Sequence, residues 1–544
     1  MTKPYRLKTE HGKYVYLLSL DGSNTDLFYG MLDAGEMPNI QKYFFDNMIV
    51  GTKTGLCGLP SVTTYSHDMY TTGRISRHPG LRWLNRKAQE GTDRIVDYGK
   101  NFGVDRLEED ACLEGNTLFE IIGDGVAMLE FTNRGAKHKY RKRFWIGAMW
   151  SALFSMFKHW RMNRNVLSMY PTDKITNYSL AVDEMTTRKI IKTYKKGCPR
   201  LLIDWKWGMD EVAHSHGVSD GVLEYTYSRI DAQVGRTMEA IKNTGNFDDF
   251  LFVMLADHNN LPVNENMCLD DMLNGYGFDT KEKIHDMKYD VRATYFGDAT
   301  GYVYYLKRKG DPDKRVTIVD EDLLKLVDNL CAEPSTSIVL ARGNDRNDYG
   351  DRDHELILAS RNGKARVQTK MEEGVKKYRL HPESDNVLRY KDDIFNAIIR
   401  WHTSEDNLRL TSNEAIPWVL PSVEKVFSDK RSPDVMTIAA DGYDYSGGNA
   451  TGDNILQKLI GHTCLKTADG LASKAGRTVP IVFSGDPTRF RQSGGLYVPT
   501  GTLVDVPPTI IDLLAPDELE RYRFDGISLL KRDYSMYVED EEIK

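Results

Sequence analysis

The stretch DEVAHSHG, residues 210–217, holds two acidic residues and two histidines directly after the apolar run RLLIDWKWGM. Asp210 and His214 are four residues apart, so on a helical turn their side chains lie on one face and can bind one ion. A single Asp or His in such a place is more often a helix cap or a hydrogen-bonding residue than a ligand. The stretch therefore indicates a metal site if further ligands converge on it.

Further metal-capable side chains follow two other apolar runs. Asp21 comes directly after YVYLLSL, and Asp257 and His258 come directly after DFLFVMLA. Such runs are typical of buried strands, and open α/β sheets bind ligands beyond the carboxyl ends of their strands. We therefore expect these residues and the Asp210 cluster to converge at one sheet edge. Sets of Asp and His without paired cysteines suit zinc or a similar divalent ion, and two clusters suggest two ions.

A third stretch, GLPSVTTYSHDMYTTGRISRHPG at 58–80, is rich in hydroxyl side chains. It can form a turn-rich loop that caps a helix, because Ser and Thr are favoured at helix N-termini. A threonine placed at a helix N-terminus between metal ions could instead be a nucleophile, since the helix dipole and the cations both stabilise its alkoxide. The residues alone leave both interpretations open.

The elements that must position these side chains form an alternating pattern. Apolar runs alternate with helical patterns, which predicts an α/β fold: a largely parallel central sheet with helices on both faces. Between 261 and 430 the chain becomes rich in charged and loop-forming residues, which indicates an inserted cap domain. The strand candidates are residues 14–20, 200–205, 249–256, 434–440 and 479–485.

This pattern divides the chain into six predicted segments. A catalytic core made of three separate parts is interrupted by two insertions and followed by an acidic tail. The segments are the first core part (12–135), a basic apolar helical insertion (136–194), the second core part (195–260), the cap domain (261–430), the last core part (431–535) and the tail (536–544).

Composition excludes several classes of protein. The 544 residues carry a net charge of −7, which argues against a nucleic-acid polymer as partner. No apolar run reaches the roughly 18 residues of a membrane span, and the N-terminus lacks the pattern of a signal peptide. The cysteines are scattered without a C-x-x-C pair, which predicts reduced thiols and a cytoplasmic location. They are Cys57, Cys112, Cys198, Cys268, Cys331 and Cys464.

One basic window stands apart from this acidic background. Residues 131–172 contain nine Lys or Arg and no Asp or Glu, and at their centre lies FWIGAMWSALFSMF. The stripe of apolar residues predicts either a cap helix packed on the core or an amphipathic helix at 138–164 that lies on an anionic membrane surface. The second interpretation would make the protein a peripheral one on the inner face of the membrane.

The ordered set LLSLDG, PSVTTYSHDMYTTGRISRH, DEVAHSHG, ADHN and VPIVFSGDPTRF with VDVPPTIIDLL resembles the alkaline phosphatase superfamily, and within it the type I phosphodiesterase and nucleotide pyrophosphatase branch. The resemblance covers about 12–135, 195–260 and 430–530. By this resemblance the nucleophilic threonine, nine residues before the Thr of a Thr-Gly pair, falls on Thr63 before Thr72-Gly73.

The resemblance also implies two divalent metal ions, with zinc expected. One ion would bind to Asp21, Thr63, Asp257 and His258, and the other to Asp210, His214 and His462. His462 is the last histidine of the chain, but Thr463 replaces the glycine that usually follows, and the gap to Val479 is longer than usual.

Two further residues have implied or expected places beside these ligands. Ser66 replaces the asparagine that often donates a hydrogen bond to the phosphoryl oxygen in this branch, and its hydroxyl can act in a similar way. His216 is expected beside the site and not as a ligand.

The function implied is metal-assisted hydrolysis of a phosphate ester through a phosphothreonine on Thr63. A phosphodiesterase or nucleotide pyrophosphatase is the first expectation. A phosphomonoesterase and a catalytically weak membrane-surface binding protein are the alternatives, and retention of a nucleophile beside metal ligands favours an enzyme. The sequence does not name the leaving group.

Overall fold

The structure is a computed structural model. It describes residues 13–77, 82–84, 95–97, 115–140, 174–218, 221–278, 280, 291–297, 299–305, 321–343, 355–428, 431–445, 465–490 and 495–534.

The strands are numbered in chain order. They are Tyr14–Leu20 (β1), Met48–Leu56 (β2), Arg82–Leu84 (β3), Ile95–Asp97 (β4), Gly125–Met128 (β5), His138–Tyr140 (β6), Leu201–Lys206 (β7), Phe250–Ala256 (β8), Leu261–Pro262 (β9), Glu265–Asn266 (β10), Val291–Gly297 (β11), Thr300–Tyr305 (β12), Thr336–Arg342 (β13), Glu355–Ser360 (β14), Gly363–Glu372 (β15), Val375–Pro382 (β16), Val435–Ala439 (β17), Tyr443–Asp444 (β18), Thr467–Ala468 (β19), Thr478–Ser484 (β20), Leu496–Tyr497 (β21) and Gly501–Thr502 (β22).

The helices are named by their bounds. The α-helices are Thr25–Asp33, Pro38–Ile40, Thr63–Thr72, Leu118–Ile122, Lys174–Tyr194, Gly208–His216, Val222–Lys242, Leu269–Gly275, Glu321–Ala332, Asp392–Ile398, Ser404–Thr411, Val419–Phe427, Lys474–Arg477 and Val506–Leu514. Short 3-10 helices span Phe247–Asp249, Leu503–Asp505 and Pro516–Arg521, and a π-helical turn spans Gln41–Phe45.

The central sheet has the strand order β21-β2-β20-β8-β1-β7-β5-β6, with β22 also paired to β2. β1 pairs in parallel with β7 and β8, and β5 pairs in parallel with β7 and β6. β20 is antiparallel to both of its neighbours. Strands β1 and β8 are apolar along almost their whole length, and β7 is fully buried, because both faces of this sheet are covered. The predicted α/β fold with a largely parallel central sheet is confirmed.

This topology brings the predicted site residues to one edge. β1 lies between β7 and β8, so the carboxyl ends of three adjacent parallel strands meet there. Asp21 follows β1, the helix Gly208–His216 follows β7, and Asp257 follows β8. The convergence that the sequence predicts is therefore present.

A second sheet of seven strands has the order β11-β12-β17-β13-β14-β15-β16 and is antiparallel throughout. The strand predicted at 434–440 forms as β17, but its place in the central sheet was wrong, because it pairs with β12 and β13. Met436 and Ile438 belong to the main core, whereas Val435 and Ala439 lie in a second apolar cluster with the helix Glu321–Ala332. Burial on both faces gives β17 the same apolar sequence as a parallel core strand.

The strand candidates do not include β2, although it lies inside the central sheet between β20 and β21. Its sequence, MIVGTKTGL, is interrupted by glycine, lysine and threonine. A Cβ at Gly55 would lie 2.7 Å from the Val479 carbonyl oxygen. The glycine therefore permits a close approach of two backbones, at the expense of the apolar pattern that marks a strand.

The basic window lies mostly outside the described residues. His138–Tyr140 form β6 at the end of the central sheet, so the predicted helix at 138–164 is wrong for its first three residues. The interpretation of 141–164 falls on residues that the structure does not describe. Among the helices within the described ranges, none has both the length and the apolarity needed to cross a bilayer. The six predicted segment boundaries stay predictions.

Candidate active site

The loop after β1 joins three strand ends. Gly22 has a φ of +58°, and a Cβ there would lie 2.3 Å from Asp210 Oδ1 and 2.5 Å from Asn260 Nδ2. Its backbone N–H donates to Asp257 Oδ1 over 3.1 Å. Glycine is therefore required after Asp21 for two reasons, a left-handed backbone and the close packing of neighbouring site residues.

Thr63 begins the helix Thr63–Thr72, after an extended residue Val62. Its Oγ1 lies 3.1 Å from His258 Nε2 and 3.4 Å from Asp21 Oδ1. The helix ends at Gly73, whose φ is +68° and whose missing Cβ would lie 2.4 Å from the Phe524 ring. The spacing from Thr63 to the Thr-Gly pair is thus the length of one helix.

Several donor atoms surround His258 Nε2, and both Asp257 and His258 are fully buried. Asp21 Oδ1 is 3.3 Å away, Asp257 Oδ2 is 3.7 Å away and Asp469 Oδ2 is 3.8 Å away. Asp257 Oδ1 accepts hydrogen bonds from the Gly22 and His258 backbone N–H groups. The loop backbone therefore fixes the orientation of the Asp257 carboxylate.

Asp210 and His214 lie on one face of the helix Gly208–His216, as the sequence predicts. His214 Nε2 is 3.1 Å from Asp210 Oδ1, which also accepts a 2.8 Å hydrogen bond from Asn260 Nδ2. His214 Nδ1 lies 2.9 Å from the Thr467 carbonyl oxygen. Because a carbonyl can only accept, this contact places a proton on Nδ1 and directs Nε2 toward the site.

A buried charged group lies behind Asp257. His67 Nε2 is 3.5 Å from Asp257 Oδ2, and His67 Nδ1 is 2.6 Å from Glu130 Oε1. Tyr70 donates to Glu130 Oε2 over 2.7 Å. Burial lowers the pKa of His67, but the Glu130 charge and the interactions with Asp257 and Glu130 outweigh it and raise that pKa to about 9. His67 is therefore a cation at neutral pH and stabilises the Asp257 carboxylate.

The acidic groups of the site compete electrostatically. Burial, with the charges of Asp257 and Asp210, raises the pKa of Asp21 well above its usual value. Burial also opposes ionisation of Asp210, but His214 outweighs it and lowers the pKa of that carboxyl. Several ionised carboxylates in a buried space are costly unless cations are present. A divalent ion would offset this repulsion.

The donor set fits a metal ion. Donor atoms of Asp21, Asp210 and His258 lie within 4.8 Å of one another. Asp257 Oδ2 and His258 Nδ1 are buried and make no hydrogen bond within the described part of the chain. Carboxylate and imidazole together are typical ligands of zinc and similar ions. The group combines residues from both of the ion sites expected from the sequence.

Three predicted residues have other outcomes. His462 falls outside the described residues. Ser66 is fully buried, and its Oγ has no hydrogen-bond partner in the ranges that the structure covers. His216 Nε2 lies 3.2 Å from Thr176 Oγ1, on the neighbouring helix Lys174–Tyr194. None of the three adds a donor atom to the group around His258 Nε2 as the structure describes it.

Sequence reasoning missed four residues of this site. Glu130 follows the short strand β5 and Asn260 follows the Asp257-His258 pair, so position after a strand end could have indicated both. His67 lies one helical turn after Thr63, which could also have been noticed. Asp469 lies seven residues after His462 and carried no strand or helix signal of its own.

Fold and site together define a protein with an alkaline phosphatase-like fold and a possible Asp/His metal-binding group beside a threonine. The chain belongs to the type I phosphodiesterase / nucleotide pyrophosphatase family, whose model matches residues 15–458. Membership supports a metal-dependent hydrolase of phosphate esters. The match ends before His462, so it assigns nothing to that residue.

Solved structures support the same fold. Murine ectonucleotide pyrophosphatase / phosphodiesterase 5 matches with a TM-score of 0.50 and 11% sequence identity, over 92% of this chain and 95% of that chain. An inactive threonine-to-alanine variant of the same murine protein, in complex with AMP, matches with the same TM-score, identity and coverage. At this identity the likeness shows the fold alone. No curated protein matches the chain in sequence.

Proposed function

We propose that the protein hydrolyses phosphodiesters through a phosphothreonine intermediate on Thr63. One observation carries this proposal: Thr63 Oγ1 lies at a helix N-terminus, 3.1 Å from His258 Nε2 and 3.4 Å from Asp21 Oδ1. A hydroxyl placed among metal-capable groups and at the positive end of a helix dipole is suited to nucleophilic attack.

The proposal assigns two divalent ions, with zinc as the first expectation. One ion would be held by Asp21, Thr63, Asp257 and His258. The other would be held by Asp210 and His214, with His462 as the further ligand expected from the sequence. When bound, the ions supply positive charge that favours the alkoxide and stabilises the charge of the attacking and leaving oxygens.

The reaction balances on the residues of the chain. The Oγ1–phosphorus bond of Thr63 forms as the bond from phosphorus to the leaving oxygen breaks. The proton that Thr63 loses in this step is balanced by the one that the leaving oxygen gains. Water then attacks the phosphothreonine and the Oγ1–phosphorus bond breaks; the water oxygen stays on phosphorus, and one of its protons restores the Thr63 hydroxyl. The N-terminus of the helix Thr63–Thr72 favours the negative charge that develops on Oγ1.

Ser66 is proposed to donate a hydrogen bond to the transferred phosphoryl group. It lies one helical turn after Thr63, and its buried hydroxyl has no partner within the described ranges. A buried hydroxyl without a partner is costly, so a bound phosphoryl oxygen would satisfy it.

The test compares three chromogenic substrates with purified, zinc-loaded protein: bis-p-nitrophenyl phosphate, p-nitrophenyl phosphate and a p-nitrophenyl nucleotide ester. We expect the diesters to be hydrolysed faster than the monoester. A labelled diester quenched during turnover should leave label on Thr63. Faster hydrolysis of the monoester would favour a phosphomonoesterase, and turnover without label on Thr63 would contradict the covalent step.

A nucleotide ester is the substrate to test first. The family includes nucleotide pyrophosphatases by its description, and the murine structure holds AMP. The proposal therefore concerns the phosphodiester class and not a particular nucleoside.

A cytoplasmic location remains part of the proposal. Four cysteines within the described ranges, Cys57, Cys198, Cys268 and Cys331, are free thiols, which is typical of a reducing compartment. Peripheral association with an anionic membrane is also kept as a proposal, for residues 141–164 of the predicted range 138–164, because residues 138–140 form β6. It predicts co-sedimentation with anionic vesicles that high salt reverses. Equal recovery of the protein in the soluble fraction with and without vesicles would contradict it.

A further inference from the structure

The segment 465–470 crosses both parts of the candidate site. The Lys466 backbone N–H donates to the His214 carbonyl oxygen over 2.8 Å, and the Thr467 carbonyl accepts from His214 Nδ1. Strand β19 then pairs with β9, which begins three residues after His258. The segment is thus attached to the helix that carries His214 and to the loop that carries His258.

Asp469 is the first residue after β19, and the backbone around it is fixed. Its carbonyl accepts from the Ala299 N–H over 3.0 Å, and the Gly470 N–H donates to the Ser61 carbonyl over 2.9 Å. Gly470 has a φ of +77°, and a Cβ there would lie 2.9 Å from Thr300 Oγ1. This backbone conformation requires glycine at 470. The hydrogen bond from Gly470 to Ser61, two residues before Thr63 in the chain, attaches the segment of Asp469 to the one that leads to Thr63.

The Asp469 side chain faces the metal-capable group. The residue is 8% exposed, and its Oδ2 lies 3.8 Å from His258 Nε2. Zinc–nitrogen and zinc–oxygen bonds are about 2.0–2.2 Å long, so two atoms that bind one ion lie at most about 4.3 Å apart. The Asp469 distance meets this limit, as do the distances from His258 Nε2 to Asp21, Thr63 and Asp257.

A second observation indicates that a ligand belongs here. Asp257 Oδ2 is fully buried, lies 3.7 Å from the same His258 nitrogen and accepts no hydrogen bond within the described residues. His67 Nε2 lies 3.5 Å from this oxygen and offsets part of its charge, but a buried carboxylate oxygen that accepts no hydrogen bond is stabilised further by a bound ion. Carboxylate oxygens of Asp469 and Asp257 thus both lie within 3.8 Å of His258 Nε2.

We infer that Asp469 is a further metal-binding residue of this site, at the ion that His258 would bind. The inference rests on the proposed metal site. A carboxylate ligand at this position makes the donor set richer in oxygen than an imidazole would, which favours Mn²⁺ relative to an otherwise identical site with histidine.

The experiment measures binding of Mn²⁺ and Zn²⁺ to the full-length, chelator-treated protein by titration calorimetry and elemental analysis. Asp469→Asn should lose one equivalent of metal or weaken its binding at least about tenfold. Asp486→Asn is the matched control, because Asp486 is a partly exposed residue that follows β20 at the opposite edge of the sheet. Its metal binding should equal that of the wild type.

A second variant, Asp469→His, tests the inference even if Asp469→Asn does not fold. Asp469→His should retain metal but shift the ratio of Mn²⁺ to Zn²⁺ affinity toward Zn²⁺ by about tenfold or more, because imidazole suits zinc. Wild-type binding of both ions by Asp469→Asn, or an unchanged ratio in Asp469→His, would overturn the inference. Absence of metal from the wild type would instead overturn the proposed metal site itself.

Discussion

The two parts of the candidate site are held by different means. Asp21 and His258 come from the ends of adjacent parallel strands, and their side chains are 2% and 0% exposed. Asp210 and His214 come from one helix face, and their side chains are 14% and 10% exposed. The strand-end part is fixed by the sheet, whereas the helix part also depends on the Thr467 carbonyl from a distant segment.

This difference predicts that mutations in the two parts affect different steps and different ions. The strand-end part contains Thr63 and the buried support of His67 and Glu130, so changes there should act on the chemical step and on one ion. The helix part is more open, and changes there should act on the other ion. Asn260 joins the two parts, since its Nδ2 donates to Asp210 Oδ1 and to the Gly22 carbonyl oxygen of the loop after β1.

The largest effect is expected at Thr63. Thr63→Ala should lower turnover by roughly 10³-fold or more while both ions stay bound, because it removes the nucleophile. Thr64→Ala is the matched control and should keep most activity, since Thr64 is the buried neighbour. Thr63→Ser should keep a fraction, because it retains the hydroxyl but loses the methyl group that restricts its rotamer. Near wild-type turnover of Thr63→Ala would mean that water attacks directly.

A change in the helix part should act through metal. His214→Ala should lose mainly one of two ions by elemental analysis and lower turnover by about 100-fold, more than a supporting residue typically does. His216→Ala is the control two residues away, since His216 contacts Thr176. Loss of both ions from His214→Ala would show that the two parts do not bind metal independently.

The buried support of Asp257 should have an intermediate effect. Glu130→Gln removes the charge that keeps His67 cationic, so metal affinity of the strand-end part should fall about 10- to 100-fold. Tyr70→Phe removes one hydrogen bond to Glu130 and should weaken metal affinity less. Equal affinities for wild type and Glu130→Gln would show that His67 does not orient Asp257.

The smallest effect is expected where the parts join. Asn260→Ala removes the 2.8 Å hydrogen bond to Asp210, a bond to a charged group worth about 1.5–3 kcal/mol. Affinity for the ion at Asp210 and His214 should therefore fall about tenfold. The affinity for the ion at Asp21 and His258 should be unchanged. An equal loss of affinity at both sites in a calorimetric titration would show that the two sites are not independent.

Local patterns predicted the parts of the site that local geometry determines. The four-residue spacing of Asp210 and His214 became a 3.1 Å contact on one helix face. Asp21, Asp257 and His258 lie where parallel strands end, so the sheet alone brings them together. These inferences needed only helical periodicity and the direction of the strands.

Long-range pairings could not be predicted in the same way. The contact between His67 and Glu130 joins residues 63 positions apart, and nothing in either local sequence specifies the other. The strand β17 was assigned to the wrong sheet because burial on both faces produces the same apolar run in either sheet. The position of Asp469 depends on the pairing of β19 with β9. Each of these strands is two residues long, which is too short to produce a recognisable sequence pattern.

The continuous core has a consequence for how the molecule unfolds. Tyr302, Leu340 and Met436 of the second sheet belong to the same cluster of buried apolar side chains as β1 and β8 of the central sheet. The fully buried Arg477 also donates to the Cys57 and Pro417 carbonyl oxygens, which come from distant parts of the chain. The two sheets are therefore one cooperative unit. A destabilising change in β17 would reduce the fraction of folded molecules, and each molecule that remained folded would keep its nucleophile in place.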